Sequence, residues 1–92
     1  MTTINEVAQG FFRELEREWN KDGQRAISKL IEFHPTAEEY DVTVDDVEAA
    51  LWLLHQAGYI HWPKIRGALS PTSTQLTPLG EDVCRGRASL RL

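Results

Sequence analysis

The stretch from Val44 to Ile60, VDDVEAALWLLHQAGYI, changes its apolar period once, and that change limits what the chain can become. Val44, Val47, Ala50, Leu51 and Leu54 fall at three- and four-residue steps, which puts them on one face of a helix. Thr43 precedes the run with Asp46 three residues on, the pattern of a capping box. Trp52 and His55 lie toward the flanks of the apolar stripe. Gly58 suits the residue just past the helix end, and Tyr59, Ile60 and Trp62 then alternate as a strand.

The rest of the chain supplies elements on both sides of this helix. Ile4, Val7, Ala8, Phe11, Phe12, Leu15 and Trp19 form the stripe of an N-terminal amphipathic helix, with Thr3 and Glu6 as its capping box and Asn20, Asp22 and Gly23 as its stop. A second helix is expected from about Gln24 to Phe33, with Ala26, Ile27, Leu30 and Ile31 inward and His34-Pro35 ending it. Thr36 to Tyr40 reads as the start of a short helix capped by Thr36 and cut off at Asp41-Val42. After Trp62, Lys64 to Leu69 alternate weakly, Ser70 to Ser73 is turn material, and Thr74 to Leu76 can return as a partner strand. Thr77-Pro78 opens a last helix to about Arg85, ended by Gly86, and residues 87–92 carry no regular pattern.

These elements make one α+β domain over residues 1–92, mainly α with a small β-hairpin. No repeat or linker divides it. The 41% apolar content argues against general disorder. With the single Cys84 no internal disulfide can form, and no apolar run approaches the roughly 18–20 residues of a membrane span. No signal-peptide pattern opens the sequence, so a soluble, cytoplasmic protein is expected.

The net charge of −4 is unevenly spread. Residues 1–29 balance five acids against five bases. Residues 30–63 hold seven acids, Glu32, Glu38, Glu39, Asp41, Asp45, Asp46 and Glu48, with no Lys or Arg. From Lys64 onward, Lys64, Arg66, Arg85, Arg87 and Arg91 outnumber Glu81 and Asp82. Such asymmetry points to charged partners.

The run Ala50-Leu51-xx-Leu54-xx-Ala57-Gly58-Tyr59-Ile60 resembles a recognition helix passing into a strand, and Leu76-Thr77-Pro78-Leu79-Gly80 resembles a strand-to-helix exit after a wing. In that order, residues 25–86 are similar to a winged helix-turn-helix domain of small prokaryotic regulators, with residues 1–22 as an extra N-terminal helix and 87–92 as a tail. The resemblance implies a recognition helix starting near Thr43 in the DNA major groove and a wing near Arg66 to Ser73 on the backbone. Two departures accompany it. The segment from His34 to Thr43 looks too short for a full second helix of the motif, and the recognition start reads Val44, Asp45, Asp46, Glu48, Ala49 where DNA readers place Arg, Lys, Ser, Asn or Gln.

Two function classes follow. The first is a DNA-associated transcriptional regulator, dimeric through Phe11, Phe12 and Trp19, that contacts phosphates with Lys64, Arg66, Arg85, Arg87 and Arg91. The second is a protein-binding module or inhibitor of the phage or mobile-element kind, such as an anti-CRISPR or DNA mimic, docking a basic partner on Glu38, Glu39, Asp41, Asp45, Asp46 and Glu48. Asp45, Asp46 and Glu48 also complement the helix dipole, by a few tenths of a kcal/mol each, roughly. An enzyme is not expected: His34, His55, His61 and Cys84 show no metal-ligand spacing, and no phosphate loop or activated nucleophile is present. No cofactor or metal is expected either.

Overall fold

The computed structural model describes residues 2–25, 28–62 and 72–92. Ala26, Ile27 and residues 63–71, which hold Lys64, Arg66 and most of the stretch expected as a wing, lie outside the described residues.

The first helix, α1, runs Ile4–Lys21 and carries both halves of the Thr3–Glu6 capping box. Its stripe of Val7, Ala8, Phe11, Phe12, Leu15 and Trp19 is buried. This helix packs against the third helix, α3, Val44–Gln56, whose inward residues are Val47, Ala50, Leu51 and Leu54. The two stripes form the middle of one core, joined by Ile31, Phe33, Ala37, Tyr59, Ile60, Trp62 and Leu76. Burying a large apolar side chain contributes about 1.5–3 kcal/mol, so α1 is part of the core and not an appendage to it. Phe11, Phe12 and Trp19, expected as a dimer edge, are only 2%, 2% and 1% exposed, spent on the chain's own interior.

The second helix expected over residues 24–33 is replaced by a strand, β1, Ser28–Ile31. Gly23 and Gln24 both take positive φ, 71° and 65°, which breaks the path a helix would follow from Gln24. β1 pairs antiparallel with β3, Thr72–Leu76, in the register Ser28↔Gln75 to Ile31↔Thr72. β3 pairs on its other side with β2, Ile60–His61, through Ile60↔Leu76 and His61↔Gln75, so the sheet order is β1-β3-β2. Thr74, central in this sheet and 1% exposed, donates its hydroxyl to the Lys29 carbonyl at 3.0 Å. Satisfying that strand's second edge overrides the helical reading of Leu30 and Ile31; Leu30 is left 57% exposed.

A second correction concerns Pro35. It sits inside the first turn of α2, Phe33–Tyr40, and does not terminate a helix. A proline there gives up an amide that has no partner in a helix anyway. Glu32 holds the N-cap position without a side-chain bond, so Thr36 is not the cap. Burial of Phe33 and Ala37 on one face anchors the helix, and Asp41, left-handed at φ 55°, closes it. The segment before Thr43 therefore does hold a full two-turn helix, joined to α3 by Asp41-Val42-Thr43.

The last helix, α4, is Pro78–Cys84, with Thr77 as cap and Pro78 in the first turn, as expected. The tail after Gly86 has no regular structure but is fastened: Tyr59 accepts a hydrogen bond from the Arg91 amide at 2.9 Å, and Leu90 and Leu92 pack on the core. Among the described residues, no helix is long and apolar enough to cross a membrane.

Candidate functional site

The face of α3 opposite the core is the part of the fold whose chemistry packing does not explain. Thr43 and Asp46 form the capping box that starts the helix, with both bonds at 3.1 Å. Asp46 is thereby tied to the backbone. Asp45, Glu48, Ala49 and Trp52 follow at positions that share the outer face. Among the described residues, these four line an open groove of about 260 Å³.

Trp52 is the aromatic wall of that groove. It is 39% exposed yet fixed by neighbours on two sides. The His55 ring stacks on it at 5.5 Å between centroids and 22° between planes. Trp62, buried just after β2, meets it edge-on at 5.9 Å and 75°. His55 is itself held, its Nδ1 lying 3.3 Å from the Ile60 carbonyl. A large ring kept at the surface in one orientation is the kind of residue that carries binding energy at protein interfaces.

Further acids lie on α2 and at its end. Glu38, Glu39 and Asp41 are all exposed. Lys29 pairs with Glu14 at 3.2 Å, and Arg85 with Glu81 at 3.5 Å and Asp82 at 4.0 Å.

Of the five bases expected to meet phosphate, three fall within the described residues. Arg85 is engaged twice over, by Glu81 and Asp82 and by the Trp19 ring 5.0 Å beneath its guanidinium. Arg87 and Arg91 are exposed, and Arg91 uses its backbone, not its side chain, on Tyr59. Among the described residues no three His, Cys, Asp or Glu side chains converge as a metal site. The pairing of Trp52 with His55 and Trp62 joins a helix to the residue after a strand, which spacing in the sequence does not announce.

Comparison with protein-family models, curated proteins and solved structures finds no match to this chain.

Proposed function

We propose that the chain is a winged helix-turn-helix module that uses the outer face of α2 and α3 to bind a basic protein surface, in place of the DNA major groove. Two consecutive helices with a three-residue connection, followed by β2, β3 and α4, support the scaffold. The observation that carries the function is the charge of this part of the chain: Glu38, Glu39, Asp41 and Asp45 are all exposed, in a stretch from Leu30 to Pro63 without Lys or Arg.

Magnitudes favour this reading over groove binding. Like charges about 4 Å apart repel by ~1 kcal/mol in water and ~4 kcal/mol at a partly shielded surface. A well-placed base contact contributes about 1–3 kcal/mol. A few carboxylates facing phosphates therefore cancel what one or two base contacts supply, and they attract Lys and Arg of a protein instead. An inhibitor of the phage or mobile-element kind, acting as an anti-CRISPR or DNA mimic, is one form such a module takes.

A DNA-associated regulator remains the second reading, favoured by the helix-turn-helix order and the exposed Arg87 and Arg91, with Lys64 and Arg66 of the wing as further phosphate contacts. Titrating the chain with random duplex DNA and with polyarginine, across a salt series, separates the two. The protein-binding reading expects polyarginine binding that is lost when Glu38, Glu39, Asp41 and Asp45 become amides, and no duplex binding at low salt. Duplex binding that weakens steeply with salt, with polyarginine ignored, would sink it.

A further inference from the structure

We infer that β1 is a self-association edge: it pairs antiparallel with β1 of a second copy, joining two three-stranded sheets across a twofold axis. The inference stands apart from the acidic residues of α2 and α3 and goes beyond their reading. Among the described residues β1 pairs with β3 alone, which leaves its other side open. The Lys29 carbonyl is turned toward β3, where it accepts the Thr74 hydroxyl at 3.0 Å. Main-chain groups alternate sides along a strand, so the Leu30 amide and carbonyl face away from β3. An edge of that kind is a template for another strand, and proteins commonly guard it with a lysine. Here Lys29 is held back on Glu14 of α1 at 3.2 Å. Leu30, 57% exposed, is the most exposed large apolar residue among those described.

The order of the residues selects a second copy over any other strand. A twofold axis between paired strands keeps equivalent sheet faces on one side, so each residue opposes one that points the same way. Centred on Leu30, the pairing sets Leu30 against Leu30 and Ser28 against Glu32. The two exposed leucines cover each other, and Leu30 exchanges both main-chain bonds with its copy. Glu32 is extended, at φ −99° and ψ 119°, and so continues the edge one residue past β1. Its carbonyl already accepts the Thr36 amide at 3.1 Å, and its amide meets the Ser28 carbonyl of the other copy. Centring on Lys29 instead would oppose two like charges, which disfavours that register. Arg25 before β1 and Glu32 after it are both exposed, so antiparallel pairing brings the basic end of one copy toward the acidic end of the other.

Sedimentation equilibrium of the full chain over a concentration series tests the pairing. One short strand lies at the small end of specific interfaces, so a monomer–dimer equilibrium with Kd on the order of 100 μM is expected. Leu30→Lys sets two ammonium groups across the axis and is expected to weaken dimerisation about tenfold or more. Because Leu30 is exposed, circular dichroism should stay unchanged in that variant. Leu30→Val keeps an apolar strand former and is expected to dimerise within about threefold of the unaltered chain. In hydrogen exchange, the Leu30 amide should gain protection as concentration rises. A chain that stays monomeric up to about 1 mM would overturn the inference. So would a dimer that Leu30→Lys leaves intact, or one in which the Leu30 amide exchanges as fast as in the monomer, because the copies would then meet elsewhere.

Discussion

Gly80 in α4 lies so close to the carbonyl oxygen of Tyr59 that a Cβ at this position would overlap it. The same carbonyl accepts the Thr77 amide at 3.1 Å, so the start of α4 is bonded to the end of the α3–β2 connection at the point where Gly80 presses on it. Backbone has little room to yield there. Gly80→Ala is expected to destabilise by about 2–3 kcal/mol, the upper part of the range for overpacking. Gly10 is the contrast: its Cβ would meet the Tyr40 hydroxyl at 2.7 Å and the ring carbon Cε1 at 2.8 Å, atoms of a side chain and not of the backbone. Gly10→Ala should cost about 1 kcal/mol. Urea unfolding of both variants checks the order, and equal losses would show that the Tyr59 contact is not the stiffer one.

Arg85 distinguishes structure from phosphate binding. Its guanidinium over Trp19 and its pair with Glu81 together contribute about 1 kcal/mol, given the partial exposure of both charges. Arg85→Gln should therefore lower Tm by about 4–8 °C in a domain of this size. It should leave any residual DNA affinity unchanged. A clear loss of duplex binding at constant stability would return Arg85 to the phosphate contacts.

The helices α1 and α3 were legible in the sequence because each joins a long apolar stripe to a capping box that needs only local residues. The strand β1 was not. Leu30 and Ile31 fit a helix or a strand equally over so short a run, and only the second edge of β3, with Thr74 reaching the Lys29 carbonyl, decides between them. The start of α2 was placed one turn late, at Thr36, for a related reason: Pro35 reads as a stop unless it is known to fall in a first turn. At the site, the carboxylates were visible as charge. The Trp52–His55–Trp62 arrangement was not, since it depends on how β2 leaves α3.

Alkaline pH should weaken the fold in two steps. Burial first, then the charges of Glu14 and Glu39, push the Tyr40 hydroxyl from 10.0 up to about 12. Burial, with Glu16 and Glu81, pushes the Cys84 thiol from 9.0 up to about 11. Both values are raised on folding, so the stability tied to the neutral forms is whole below pH 9 and is lost as pH rises through about 11 and 12. Unfolding then releases protons that the folded state retains. Urea midpoints measured across this window should fall, and Cys84→Ala should delay the onset by removing the earlier step. A flat midpoint up to pH 11 would contradict both assignments. At neutral pH, Cys84 should also react more slowly with a disulfide reagent than an unfolded thiol, because the thiolate is the reactive form.

Beside the packing of Leu90 and Leu92, the tail is hydrogen-bonded through one hydroxyl. Tyr59, 5% exposed and edge-on to Phe12 at 5.8 Å, accepts from the Arg91 amide at 2.9 Å and donates to the Ser89 carbonyl at 3.2 Å. Tyr59→Phe keeps the ring in the core and removes both bonds. Its expected cost is about 1–2 kcal/mol, with the Arg91 amide left unpaired. Hydrogen exchange at Arg91 should accelerate while exchange in α1 and α3 follows only the global change. Arg91→Ala is the discriminating partner, because the bond runs through the backbone. It should leave stability and Arg91-site amide protection almost as they are, while removing one exposed positive charge. If Arg91→Ala loosened the tail as much as Tyr59→Phe, the side chain and not the Tyr59 hydroxyl would be its fastening.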